Sequence, residues 1–240
     1  MREEPYRETP APSSRCHRYP AEIIAHGVRR YYRFPLRYRG VEELMFERGV
    51  IVSYESIRRW CLKFGPGFAA EIRRRRPQPK DKWHLDEVFI KMGGRTYYLW
   101  RAVAADGMVL DILVQERRNQ AAAETFLRRL VEGYPATPRV IVTDKLARYG
   151  PAIKTVLPQT EHRQPKGLNN RVENAHQPTR QRERAMRRFK GPMQTQRFLE
   201  SFGPIREHFC LARHRLAASD VRAILTARFA TWHEVVGITG

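Results

Sequence analysis

The sequence predicts an α/β protein, a mixed sheet flanked by helices and preceded by a small helical module. Three observations carry this. Between Trp83 and Gln115, three strand-like stretches follow one another with turn signals between them. From Asn119 onward, helical stretches alternate with short apolar segments. Before them, Tyr19 to Ile72 places its apolar residues at helical spacing. Strands in hairpin order, then helix and strand in alternation, build a mixed sheet with helices against it.

Each element has a local reason. Trp83 to Met92 reads as a strand, and Gly93-Gly94 as a hairpin turn. Thr96 to Ala105 is a second strand, rich in aromatic and apolar residues; Asp106-Gly107 turns the chain into a third, Met108 to Gln115. Asn119 to Glu132 is helical, with Ala122, Phe126, Leu127 and Leu130 as its buried stripe. Pro138 to Thr143 is a short strand with an apolar centre, of the kind buried in a sheet. Tyr149 to Leu157 is read as helix, Glu161 to Arg163 as strand, and a basic helix begins at Val172. This order suits the ribonuclease-H-like fold.

The module ahead of the sheet has its own signals. Ile23, Ile24 and Val28 fall on one side of a first helix, and Val41, Leu44 and Met45 on one side of a second. Gly49 to Val52 is a tight turn, Ser53 is an N-cap, and Ile57, Trp60, Cys61 and Phe64 share a face of the next helix. This is a helix-turn-helix layout, in which Tyr54, Ser56, Arg58 and Arg59 would meet a DNA groove. A plain helical bundle with a solvated face is the alternative. The expected domains are a disordered tail over 1–18, the helix-turn-helix over 19–72, a basic linker over 73–81, the α/β domain over 82–190 and a helical region over 191–240. The linker is expected from four consecutive arginines, Arg73 to Arg76, followed by two prolines.

Charge narrows the partners. Forty-five Lys and Arg face 25 acidic residues, a net charge of +20. Such an excess points to a polyanion, because neutralising phosphates releases condensed counterions. The hydrophobic share of 42% is enough to build a core. No apolar run approaches the roughly 20 residues that span a bilayer, and the first residues lack an apolar signal core. A soluble, cytoplasmic, nucleoid-associated protein is expected, with no membrane partner. The cysteines Cys16, Cys61 and Cys210 are odd in number and far apart, so neither a zinc site nor a disulfide framework is indicated.

Two carboxylates are placed by strand pattern. Asp86 lies inside the apolar strand Trp83 to Val88, and Asp144 closes the strand Val140 to Thr143. An ionised carboxylate there is costly unless paired, and a metal ion is a suitable partner. Glu173 stands at the start of the basic helix, where the helix dipole favours a negative charge. Two strand aspartates and a helix glutamate can hold two magnesium ions for phosphoryl transfer. Singly, Asp144 also suits an Asx turn, and Glu173 a first-turn helix acid. Glu87 is expected outside such a site, since successive strand residues face opposite ways. Asp106 reads as a turn residue, and His162 and His176 as structural histidines. His84 shares the Asp86 face of its strand. Lys145 and Arg148 either steer phosphate or are solvated. In the run Arg180 to Lys190, basic residues such as Arg184, Arg187 and Arg188 are expected on a DNA backbone, with Met186 and Phe189 inward.

Several segments carry a resemblance in the same order: Trp83-His84-Leu85-Asp86-Glu87, Tyr98-Leu99-Trp100-Arg101-Ala102-Val103, Thr143-Asp144-Lys145 with Tyr149-Gly150, and Glu161-His162-Arg163-Gln164 with Asn169 to Asn174. They resemble the DDE transposases of the IS-six family of bacterial insertion sequences, over roughly Tyr19 to Arg215. The resemblance implies a ribonuclease-H-like domain in which Asp86, Asp144 and Glu173 are catalytic and bind Mg2+, with Mn2+ possible. It also implies action on terminal inverted repeats and joining of donor to target double-stranded DNA, by a homodimer or higher assembly. Arg180 matches a basic residue that family members carry two turns after the glutamate. Two departures stand out. The interval from Asp144 to Glu173 is short, with the missing residues assigned to the loop near Leu157 to Thr160, and Pro178 interrupts the glutamate's helix. A nuclease of the same fold and a non-enzymatic, transposase-derived DNA-binding regulator are the competing readings.

Overall fold

The computed structural model describes residues 17–144, 149–164, 170–211 and 216–238, without the side chains of 170–175. The chain divides into two units, one formed by residues 1–76 with 200–240 and the other by residues 77–199.

In the second unit, β1 (Lys82–Met92), β2 (Arg95–Ala104), β3 (Val109–Gln115), β4 (Val140–Val142) and β5 (Glu161–Arg163) form one sheet in the order β3-β2-β1-β4-β5. The first three pair antiparallel, and β4 joins β1 and β5 in parallel. This is the ribonuclease-H-like arrangement that the order of elements predicts. Gly93 and Gly94 turn β1 into β2 with φ of 55° and 80°, the left-handed pair a two-residue hairpin needs. Asp106 is a turn residue, as expected, and its carboxylate accepts from the Met108 amide at 3.0 Å.

Helices α4 (Gln120–Glu132) and α5 (Tyr149–Val156) cover one face. Asn119 caps α4 by accepting from the Ala122 amide at 2.9 Å. Phe126, Leu127 and Leu130 then pack with Trp83, Leu85, Trp100 and Ile141 in the core. Each fully buried side chain of this size contributes about 2–3 kcal/mol by leaving water. Helix α6 (Asn170–Ala185) lies against β1 and β2, and α7 (Pro192–His208) follows it. Gln196 of α7 accepts from the Val114 amide and donates to the Ile112 carbonyl, both at 2.9 Å, so a side chain occupies the open edge of β3.

The first unit is helical: α1 (Ala21–Arg33), α2 (Tyr38–Phe46), α3 (Tyr54–Arg74), the end of α7, and α8 (Ala218–Val235). Gly49, with φ of 76°, turns the chain after α2, and Ser53 caps α3 by accepting from the Ser56 amide. Ile57, Trp60, Cys61 and Phe64 are buried together. The arginine run expected to open a linker instead continues α3 through Arg74. The reason is that partners are at hand. Arg74 and Arg75 pair with Glu71, Arg75 also with Glu234, and Arg76 with Glu207.

Candidate active site

Strands β1 and β4 run parallel with Lys82, Trp83 and His84 level with Val140, Ile141 and Val142. Two residues further on, the same register sets Asp86 level with Asp144. Here β4 has ended. Thr143 leaves the strand with its hydroxyl donating to the Asp144 carbonyl and in contact with His162 Nε2, both at 2.8 Å. Asp144, at the carboxyl end of β4, is thus delivered beside Asp86 of the longer parallel neighbour β1.

Glu87 joins them, against expectation. One carboxylate oxygen each from Asp86, Glu87 and Asp144 lies within 4.8 Å of the others. Alternation holds for direction, since Asp86 meets α6 while Glu87 meets Tyr149 of α5. It does not decide distance, because beyond His84 no β4 residue separates the two faces of β1. Glu87 is buried and held from two sides. Arg118 Nε donates to it at 2.6 Å and Tyr149 Oη at 2.5 Å. Burial, with repulsion from Asp144, raises the Glu87 carboxyl above the usual carboxylate range, against the opposing bonds from Tyr149 and Arg118. Burial and Glu87 together push the Tyr149 hydroxyl well up.

The donor set suits a hard divalent cation. Oxygens on one magnesium lie at most about 4.2 Å apart, and two ions sit roughly 3.5–4 Å apart. The present spacing is close to either arrangement. A further group faces the cluster: His176 is 3% exposed, its Nε2 stands 3.4 Å from Asp86 Oδ2, and neither ring nitrogen has a hydrogen bond among the described residues. Burial lowers its pKa, as does Arg101, against the pull of Asp86.

The other expected residues are distributed as follows. Glu173 falls on α6, with its side chain outside the described residues; Lys145 and Arg148 lie outside them altogether. Helix α6 runs unbroken through Pro178. Arg180 and Arg184 are exposed on it, and Arg187 and Arg188 are exposed in the turn after it, with φ of 56° and 72°. Phe189 is buried, as expected, and Met186 is half-buried. His84 is buried in β1 between Val103 and Val142. Within the short interval, Leu157 to Thr160 forms a tight turn, closed by the Thr160 amide on the Leu157 carbonyl at 3.0 Å.

Sequence reasoning missed Glu87, Arg118, Tyr149 and the role of His176. Arg101 did leave a signal, as a charge in the middle of an apolar strand. It is 2% exposed and donates to Thr179 Oγ1.

In the helical unit, Tyr54, Ser56, Arg58 and Arg59 lie in the first turns of α3. Arg58 holds Glu55 at 2.8–2.9 Å, and Arg59 reaches it at 3.4 Å. Ser56 and Arg59 line a cleft with Tyr19, Ile51 and Trp60. On α1, Arg30 Nε donates to His26 Nε2 at 2.5 Å, and Arg29 lies over the Phe209 and Phe229 rings. No helix among the described residues is long and apolar enough to cross a membrane.

The chain is similar to several known proteins. The family model for the DDE domain of IS240-type transposases matches residues 80–210. The transposase for insertion sequence-like element IS431mec of Staphylococcus aureus is 31% identical over 160 residues, covering 65% of this chain and 71% of that protein. The transposase for insertion sequence element IS257 in transposon Tn4003, also from Staphylococcus aureus, is 30% identical over the same shares. Among solved structures, the HTLV-2 integrase catalytic core domain in complex with magnesium is similar at a TM-score of 0.33 and 16% identity, over 42% of this chain and 68% of that one.

Proposed function

Because the chain belongs to the IS-six family of insertion-sequence DDE transposases, we propose that Asp86, Asp144 and Glu173 are the catalytic carboxylates with which it cuts and joins DNA. The observation that carries this is the convergence of Asp86, within β1, and Asp144, just past the end of the parallel neighbour β4, within 4.8 Å and with a buried third carboxylate beside them. The trio would hold Mg2+, with Mn2+ as a substitute. The ions supply Lewis-acid activation of the attacking oxygen and stabilisation of the leaving one.

The reaction has two in-line displacements at phosphorus. Water attacks the phosphodiester at the element's end, the bond to the 3′ oxygen breaks, and a 3′-hydroxyl is freed. That hydroxyl then attacks a target phosphodiester, whose own 3′ oxygen leaves. No bond to the protein forms, so the chain's task is to place the reacting groups. Arg180, Arg184, Arg187, Arg188 and Lys145 would contact the backbone of the bound duplex. Helices α2 and α3 would act as the helix-turn-helix, with Tyr54, Ser56, Arg58 and Arg59 towards the inverted repeat. Glu55 would release Arg58 and Arg59 to phosphate. Bringing two ends together calls for a homodimer or larger assembly on DNA.

Asp144→Asn tests the reading. Joining of labelled end DNA to a target plasmid should be lost, with end binding in a gel shift unchanged. Joining at the wild-type rate would sink the assignment. Metal-dependent cutting by the unaltered chain, without joined products, would make it a nuclease.

A further inference from the structure

We propose that Arg101, His176 and Thr179 form a two-point latch that fixes the register of α6 on the sheet, and that they are positioning residues for the carboxylate α6 carries at Glu173. The inference rests on the reading of Asp86, Asp144 and Glu173 as the catalytic trio.

Helix α6 needs such a device. A helix is ordinarily held to a sheet by an apolar stripe. Among the described side chains of α6, the buried ones are instead His176, Thr179 and Arg182, at 3%, 3% and 1% exposure and at intervals of three. Glu173 is the preceding member of the same spacing. Apolar contacts tolerate sliding, whereas a buried polar contact such as that of Arg101 with Thr179 is made in one register only.

Two of these residues meet the sheet on neighbouring strands. Asp86 of β1 and Arg101 of β2 are directly opposed in the antiparallel pair, so their side chains share a face. Asp86 faces His176, and Arg101 donates to Thr179. One anchor is therefore a proposed catalytic carboxylate itself, and the other stands beside it. Between the two contacts lies Pro178, which removes a helical hydrogen bond and weakens the helix interior by about 3 kcal/mol. The latch grips the helix on both sides of its weakest residue. It sets α6 three residues from Glu173, and through His176 it also restrains Asp86.

The test uses the full chain and pairs of variants. His176→Leu and Thr179→Val remove the contacts; His176→Gln and Thr179→Ser keep a donor and an acceptor. Three readouts are taken: hydrogen exchange of the α6 amides, Mn2+ affinity by electron paramagnetic resonance, and rate of joining. The removing variants should speed exchange along α6 and weaken Mn2+ binding about tenfold, the scale of loss when a group orienting a metal ligand is deleted. Joining should fall, and the conservative variants should recover most of each loss. Asp144→Asn should weaken Mn2+ binding and joining without altering α6 exchange. Wild-type exchange and Mn2+ affinity in both removing variants would overturn the latch, as would failure of both conservative variants to recover. If His176→Leu does not fold, the near-isosteric Thr179→Val decides. If Asp144→Asn joins normally, the trio falls, and α6 exchange alone then decides the latch.

Discussion

The sheet unit and the helical unit treat crowded charge in opposite ways. Asp86, Glu87 and Asp144 gather in the sheet unit, and Glu87 is answered by Arg118 and the Tyr149 hydroxyl. His26, Arg29, Arg30 and Arg48 gather in the helical unit, and the charges acting on His26 are all cationic. Arg29 is answered by aromatic faces, 5.5 Å from Phe209 and 5.0 Å from Phe229. Burial, with repulsion from Arg30, Arg33 and Arg48, lowers its pKa to about 10. The first arrangement neutralises a buried charge within the fold. The second holds net positive charge in place by packing, at a cost in stability that a phosphate would relieve. One collects negative charge, the other positive.

The largest expected effect lies on the compensated side. Glu87→Ala takes the acceptor from the buried Tyr149 hydroxyl and one partner from the Arg118 guanidinium. Removing one partner of such a buried network should cost about 3 kcal/mol, read by urea unfolding. Glu87→Gln keeps an acceptor and should lose less. A loss under about 1 kcal/mol for Glu87→Ala would show that the fold does not depend on this pairing.

Much of this was legible in advance. Alternation in β1, the glycine pair at the hairpin and the Ser53 and Asn119 caps are local signals, and the strand, the turn and the starts of α3 and α4 formed where they were expected. The level meeting of Asp86 and Asp144 follows once β1 and β4 are parallel neighbours. What stayed hidden depends on the ends and depths of elements. Strand alternation gives the direction of Glu87 but not that β4 stops short of it. Helical spacing marks His176 and Thr179 as one stripe, but nothing local says that the stripe meets Asp86 and Arg101. The arginines after Ile72 look unpackable until Glu71, Glu207 and Glu234 come beside them.

A smaller effect is expected on the uncompensated side. Arg29→Met keeps an apolar stem against Phe209 and Phe229 and removes one of the cations crowding His26. Stability should change by no more than about 1 kcal/mol, because a lost cation–π contact is offset by relieved repulsion. The His26 pKa, followed by NMR, should rise from about 4 towards 6.5. No movement would mean that burial alone sets it.

The last effect is a slope. His26 has its pKa lowered from 6.5 to about 4, by burial first and then by Arg29, Arg30 and Arg48. Above pH 6.5 the ring is neutral in both the folded and the unfolded chain and contributes nothing to pH dependence. As pH falls from 6.5 to about 4, the unfolded chain takes up a proton that the folded chain refuses, so stability declines across that window and levels off below it. The neutral ring is also the one that can accept from Arg30, so protonation would turn that contact into a clash of donors. His26→Gln keeps an acceptor and cannot titrate. Its urea midpoint should therefore fall less steeply with acid than that of the wild type, between pH 6.5 and 4. Parallel curves for the two proteins would show that the crowding at His26 is released in solution, and the contrast between the two units would then lose its cationic half.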